Sequence, residues 1–179
     1  MILALAIAAG LSGTAKEACA PLIPSDLAAA LSKAYPQYRL PRGDDQDQYN
    51  VRAQLERGGT GCLGVAEGDF DGDGRRDVAL LLARKDGRRT RFVVALRGDP
   101  GWRLELIETS IEAIENQYVD VVAPGAYESG FYGEYGAPAA NERKKIRSST
   151  EGVETGTLES TASYYFRVNG QWVWLWISD

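Results

Sequence analysis

The chain has 179 residues, of which 44% are hydrophobic and 25% are charged, and this composition is typical of one globular domain rather than of a disordered or fibrous protein. A net charge of −5 gives no reason to expect nucleic acid as a partner. The sequence contains no histidine, which excludes Ser-His-Asp and Cys-His catalytic arrangements as well as histidine zinc sites.

The N-terminal segment is uncharged and apolar over residues 2–11. Its length matches the central region of a secretory signal and is too short for a membrane-spanning helix. We therefore predict a signal peptide over residues 1–15, ending at the small residues Gly13 and Ala15, with a buried N-terminal helix as the alternative. The mature domain, residues 16–179, is then expected in the periplasm or outside the cell, without a membrane span.

The two cysteines, Cys19 and Cys62, lack the spacing of metal ligands. They form either a disulfide or two unrelated buried thiols, and export favours the disulfide. In the chain-entropy model, a bridge that closes this loop stabilises the fold by roughly 4 kcal/mol.

Two segments before residue 60 are candidates for helices. Ser25 or Asp26 can cap a helix that Pro36 ends. Its apolar positions follow the spacing of one buried stripe. They are Leu27, Ala30, Leu31, Ala34 and Tyr35. Residues 48–57 fit a second helix or an extended segment equally well.

The rest of the chain shows short β-rich runs separated by turn signals. The predicted strands are residues 62–66, 78–83, 90–96, 102–107, 163–168 and 171–177. Asn169 and Gly170 between the last two are typical of a tight hairpin turn. Residues 111–118 are predicted to form a helical or irregular turn, and residues 125–138 are predicted to be irregular. The predicted fold class is therefore α+β, with an N-terminal helix or helices packed on a mostly antiparallel β-meander that ends in a β-hairpin.

Four carboxylates crowd one short stretch of nine residues. They belong to Asp69, Asp71, Asp73 and Asp77. Glycines between them allow the backbone to turn back sharply and to aim alternate side chains at one point. Carboxylates this close repel one another unless they are protonated, exposed or paired with a cation. Hard oxygen ligands suit calcium, so we predict a calcium site within residues 69–77.

The run GDFDGDGRRD at residues 68–77, followed by VALL, resembles the calcium loop of FG-GAP and VCBS-type repeats, which occur in integrin alpha propellers and in exported bacterial proteins. The resemblance covers about fifteen residues. The calcium ligands that it implies are the side chains of Asp69, Asp71, Asp73 and Asp77 and the backbone carbonyl of Arg75. A complete propeller is excluded because the loop occurs once in a short chain.

The acidic pattern has two other interpretations. An EF-hand begins with the same acidic pattern but needs Glu at its twelfth position, where this chain has Leu80. The loop is therefore expected to join two strands. The second alternative is an acidic turn that binds no metal, in which Arg75 and Arg76 neutralise part of the charge.

Two functional classes follow. The preferred one is an exported, non-catalytic domain with one structural calcium site, which contacts an unidentified protein or glycan partner through residues 125–138 or a sheet edge. The alternative is a carbohydrate- or cell-wall-directed protein. It would be either a binder that exposes the alternating Trp172, Trp174 and Trp176 of the last strand, or a glycoside hydrolase that uses Glu128 or Glu134. We expect the three tryptophans to be buried, because large aromatic side chains dominate protein cores.

Overall fold

The structure is a computed structural model that describes residues 17–110, 112–134 and 136–178. The predicted signal peptide, residues 1–15, lies outside the described residues. Tyr135 of the predicted irregular segment lies outside them as well.

The part of the chain that the structure describes contains two α-helices and eleven β-strands. The helices are α1 (Ser25–Ala34) and α2 (Gln48–Glu56). The strands are β1 (Tyr38–Arg39), β2 (Val65–Gly68), β3 (Asp77–Arg84), β4 (Thr90–Arg97), β5 (Trp102–Ser110), β6 (Gln117–Val122), β7 (Gly125–Glu128), β8 (Lys145–Ser148), β9 (Gly152–Thr157), β10 (Ala162–Val168) and β11 (Gln171–Ser178).

The predicted α+β class is wrong, because the protein is mostly β, with 42% strand against 16% helix. The first sheet has the order β1-β3-β4-β5, with β2 also paired to β3, and the second has the order β11-β10-β9-β6. Strands β7 and β8 form a separate hairpin. The error has a physical cause: β6 to β9 are short and only partly buried, so they lack the strong apolar alternation that marks a strand in sequence.

Strand β3 shows how the first sheet is covered on both faces. Val78 and Leu80 point toward α1, where they pack with Leu27 in an outer core. Ala79 and Leu81 point the other way, into an inner core between the two sheets. A strand that is buried on both faces is a continuous apolar run, which is why this segment was recognisable from sequence.

The predicted disulfide is confirmed. Cys19 and Cys62 are bonded, with a Cα–Cα distance of 5.0 Å, and both are fully buried in the outer core. The bridge ties the segment before α1 to the segment that leads into β2, and it therefore holds the helix layer against the first sheet.

The layers follow from the clusters of buried side chains. The inner core joins Phe92 and Val94 of the first sheet to Val153 and Tyr165 of the second. The opposite face of the second sheet packs against the β7–β8 hairpin, for example through Phe166. The order of layers is therefore α1, first sheet, second sheet and hairpin.

The local signals at the ends of these elements are visible in the structure. Leu27 and Leu31 are the buried positions of α1, which ends at Ala34. Residues 48–57, which fit a helix or an extended segment in sequence, contain α2. The Asp47 side chain caps this helix by accepting hydrogen bonds from its first free backbone N–H groups. The predicted C-terminal hairpin is present as β10 and β11, which pair antiparallel.

Candidate functional site

The acidic loop, residues 69–76, connects β2 to β3 at the edge of the first sheet. The two strands pair antiparallel up to Gly68 and Asp77, so the loop closes a hairpin. It turns at Gly72 and Gly74, which both have φ of 80°. This backbone conformation is strained for any residue with a Cβ, which is why the loop has glycine at these points.

Asp69 organises the turn through its carboxylate. Its Oδ1 accepts a hydrogen bond from the backbone N–H of Gly72 over 2.8 Å, and its Oδ2 accepts one from Gly74 over 2.9 Å. Both oxygens are therefore held on the inner side of the bend.

Asp77 is fully buried at the start of β3. Its Oδ2 accepts from the backbone N–H of Phe70 over 2.9 Å, and its Oδ1 accepts from the backbone N–H of Arg97 over 2.8 Å. The Phe70 side chain is itself fully buried in the inner core. The loop is thus anchored in the core at Phe70, which lies between Asp69 and Asp71.

Three of the four predicted carboxylate ligands converge. Oxygen atoms of Asp69, Asp71 and Asp77 lie within 4.8 Å of one another. Two ligands of one calcium ion are separated by at most about 5 Å, twice the metal–oxygen distance, so a single ion can touch all three. Asp71 Oδ1 is buried and has no hydrogen-bond partner among the described residues. The cluster could therefore hold a metal ion.

The electrostatics of the cluster disfavour three free negative charges. Burial raises the pKa of Asp77 to about 6, because removal from water disfavours the charged carboxylate. The hydrogen bonds from Arg97 and Phe70 lower this pKa, and the nearby charges of Asp71 and Asp73 raise it. A cation at the focus of the cluster would favour the ionised form.

Asp73 is not among the carboxylates whose oxygens converge. Asp73 Oδ1 accepts from the backbone N–H of Arg75 over 2.8 Å, and Asp73 Oδ2 lies 3.7 Å from Arg75 Nε. The structure therefore leaves Asp73 outside the cluster of three. Its role as a ligand, like that of the Arg75 carbonyl, stays a prediction.

Two residues at this site were missed by sequence reasoning. Glu151 Oε2 accepts from the backbone N–H of Asp69 over 2.7 Å, and Arg103 Nη2 lies 3.7 Å from Asp71 Oδ2. Both come from distant parts of the chain, since Glu151 follows Asp69 by 82 residues. No local pattern in the sequence points to either of them.

The three tryptophans of β11 form a second feature. All three are half-buried: Trp172, Trp174 and Trp176. Their exposure is therefore intermediate between the predicted burial and the full exposure that the alternative required. They line a cleft of about 710 Å³ between the two sheets, which we call the tryptophan cleft. The candidate hydrolase residues lie elsewhere: Glu128 is 3.0 Å from Lys145 Nζ on the β7–β8 hairpin, and Glu134 is exposed.

No helix in the described ranges is long and apolar enough to cross a membrane. Comparisons with known proteins found no family model, no curated protein and no solved structure that matches this chain. The function must therefore be argued from the chemistry of the acidic loop and of the tryptophan cleft.

Proposed function

We propose that this chain is an exported, non-catalytic binding domain in which one calcium ion stabilises the acidic loop. The observation that carries the proposal is the buried Asp71 Oδ1, which has no hydrogen-bond donor among the described residues and belongs to the same cluster as Asp69 and Asp77. A buried carboxylate oxygen without a partner is costly unless a cation accompanies it.

Calcium suits the site better than other common ions. The three converging groups are all carboxylates, which are hard ligands, and calcium accepts six to eight oxygens in flexible geometry. The remaining positions would be filled by Asp73, by the Arg75 carbonyl or by water. The resemblance of the loop to FG-GAP and VCBS-type calcium loops supports the same ion.

Export is supported by the disulfide. Buried bridges such as Cys19–Cys62 persist in oxidising compartments and are rare in the cytosol. A periplasmic or extracellular location also supplies more calcium than the cytosol, so a site of modest affinity would be occupied there. The partner in this proposal is a protein or a glycan.

The test is thermal unfolding in calcium chloride and in EDTA, with the wild type and two variants. At 100 times the dissociation constant, calcium adds roughly 2.7 kcal/mol to the free energy of unfolding, so the wild-type Tm should rise by about 5–10 °C. Asp71→Asn removes one of the three crowded negative charges of the cluster. It should therefore melt above the wild type in EDTA and lose the rise in calcium.

The matched control is Asp44→Asn, which makes the same chemical change at an exposed position outside the acidic loop. This variant should show the full calcium-dependent rise. Equal melting of the wild type in both buffers would overturn the proposal, and so would an undiminished rise in Asp71→Asn.

A further inference from the structure

The tryptophan cleft lies between β5 and the inner face of the second sheet. A bulge in the β4–β5 pairing shifts the register between Phe92 and Val93. As a result, two consecutive residues of β5 face the second sheet. Ile107 packs on the inner core, and Glu108 accepts a hydrogen bond from Tyr165. Leu106, next to them, lines the cleft and is 46% exposed.

One wall of the cleft is aromatic. Trp174 stacks on Tyr165 with ring centroids 6.0 Å apart and an interplanar angle of 19°. Trp176 meets Trp174 edge to face at 5.4 Å, and Tyr165 meets Phe92 in the same manner at 5.4 Å. These contacts fix the orientation of the rings, so the wall is preorganised before any ligand arrives.

The remainder of the lining combines aliphatic side chains such as that of Leu106 with polar and negatively charged ones. Tyr165 donates its hydroxyl hydrogen to Glu108 Oε2 over 3.0 Å, and Thr157 Oγ1 donates to Glu112 Oε2 over 3.1 Å. Each of these bonds uses one oxygen of a carboxylate. Among the described residues that line the cleft there is no lysine or arginine, while serine, threonine, asparagine and glutamine side chains are present.

We propose that the tryptophan cleft binds an oligosaccharide without anionic groups. A sugar ring has an apolar face of C–H groups, which stacks on an indole, and an edge of hydroxyl groups, which hydrogen-bond to carboxylates and amides. Two carboxylates with no basic side chain beside them repel carboxylated or sulfated glycans. The cleft volume of about 710 Å³ lies within the range of ~300–1,000 Å³ that ligand pockets occupy.

The inference rests on the proposed role as a binding domain, but not on the calcium site. Glu128 and Glu134 lie outside the cleft lining, and no reaction is needed to explain the arrangement of aromatic and polar groups. The function of the cleft is therefore recognition of the glycan.

The experiment is isothermal titration calorimetry of the full chain in calcium buffer. The probes are the hexasaccharides of N-acetylglucosamine, of glucose and of galacturonic acid, preceded by a glycan array for other neutral sugars. We expect a neutral glycan to bind and the galacturonic acid hexamer not to bind. Trp176→Ala should weaken binding at least about fivefold, because it removes one stacking surface.

Two further variants keep the test specific. Trp102→Ala makes the same change in a tryptophan that packs against the outer core, so it should leave the affinity unchanged. Glu108→Gln keeps an acceptor for the Tyr165 hydroxyl but removes the charge, and it should reduce the discrimination against galacturonic acid. Each variant is checked by its thermal melt before titration.

The inference is overturned if no neutral glycan binds, if the galacturonic acid hexamer binds best, or if Trp102→Ala weakens binding as much as Trp176→Ala. Binding of a peptide alone would also overturn it. The calcium melts separate the two proposals: a calcium-dependent Tm without glycan binding removes only the role of the cleft, and glycan binding without a calcium effect removes only the metal site.

Discussion

The backbone N–H of Asp69 donates a hydrogen bond to Glu151 Oε2 over 2.7 Å, although the two residues are 82 positions apart. Asp69 begins the acidic loop of the first sheet, and Glu151 precedes β9 of the second sheet. The contact requires Gly68, because a Cβ there would lie 2.9 Å from Glu151 Oε2 and 2.6 Å from the Phe70 ring. The acidic loop is therefore held by the second sheet as well as by its own strands.

Replacing Glu151 should destabilise the fold. Hydrogen bonds to charged groups contribute about 1.5–3 kcal/mol, so Glu151→Ala should lower the free energy of unfolding by about that amount in EDTA. Glu151→Gln retains an acceptor and should lose less. Urea denaturation measures both, with Glu134→Ala as a control at an exposed glutamate. Equal stability of Glu151→Ala and the control would show that the contact does not stabilise the fold.

The contact also shows which features a single sequence can predict. The acidic loop, the Asn169-Gly170 hairpin turn and the apolar stripe of α1 depend on residues within one or two turns of each other, and their residue types require specific backbone geometry. The disulfide followed from composition and from the predicted export. These features were recognisable without any tertiary contact.

The second sheet and the full surroundings of the site could not be predicted in the same way. Strand β6 pairs with β9, about 35 residues later, and neither strand has a strong apolar alternation. The position of Glu151 depends on that pairing. The tryptophan cleft depends in turn on how the two sheets pack on each other, which no local pattern in the sequence determines.

Arg103 would compete with the proposed calcium ion for Asp71. Its Nη2 lies 3.7 Å from Asp71 Oδ2, and its side chain is 57% exposed. Exposed ion pairs contribute about 0.2–1 kcal/mol, so Arg103→Gln should raise the calcium affinity about 1.5- to fivefold. Calorimetric titration with calcium measures the change. Arg88→Gln removes an exposed arginine on the β3–β4 turn and should leave the affinity as in the wild type; an equal or larger gain there would contradict the local explanation.

The raised pKa of Asp77 predicts how stability without metal depends on pH. Its value of about 6 in the folded protein exceeds the ordinary value of 3.8. Folding therefore favours the protonated carboxyl, so this group destabilises the metal-free fold as the pH rises from about 4 to 6, and the effect is complete above 6. The difference between the two pKa values corresponds to a loss on the order of 3 kcal/mol in the free energy of unfolding.

Calcium binding should show the complementary dependence. In the proposed site calcium would need the ionised carboxylate of Asp77, so protons should compete with calcium below about pH 6. The affinity should be constant above pH 7 and should fall by up to about tenfold for each pH unit below 6. Calcium titrations at pH 5, 6, 7 and 8 test this. An affinity at pH 5 equal to that at pH 8 would show that Asp77 is not a ligand.

The disulfide should account for a large part of the stability of the outer core. Cys19 and Cys62 close a loop with a sequence separation of 43, for which the chain-entropy model gives about 4 kcal/mol. The double variant Cys19→Ala and Cys62→Ala should unfold at correspondingly lower urea concentration. A reducing agent should destabilise the wild type in the same way and leave the double variant unaffected. Unchanged stability of the wild type after complete reduction, verified by thiol labelling, would contradict the prediction.

Ionisation of two tyrosines, Tyr118 and Tyr165, should unfold the protein at alkaline pH. Burial, together with a hydrogen bond to Glu154 or Glu108, raises the pKa of Tyr118 and of Tyr165 above the ordinary value of 10. Their contribution to stability is complete below pH 10 and is lost as the pH rises through the higher folded values. In a titration followed by absorbance at 295 nm and by circular dichroism, these tyrosines should ionise only when the fold is lost.

Tyr165→Phe should weaken this pH dependence, whereas Tyr49→Phe, at a site that is 74% exposed, should not change it. Ionisation of all nine tyrosines near pH 10 in a fully folded protein would contradict the buried hydrogen bonds on which the expectation depends.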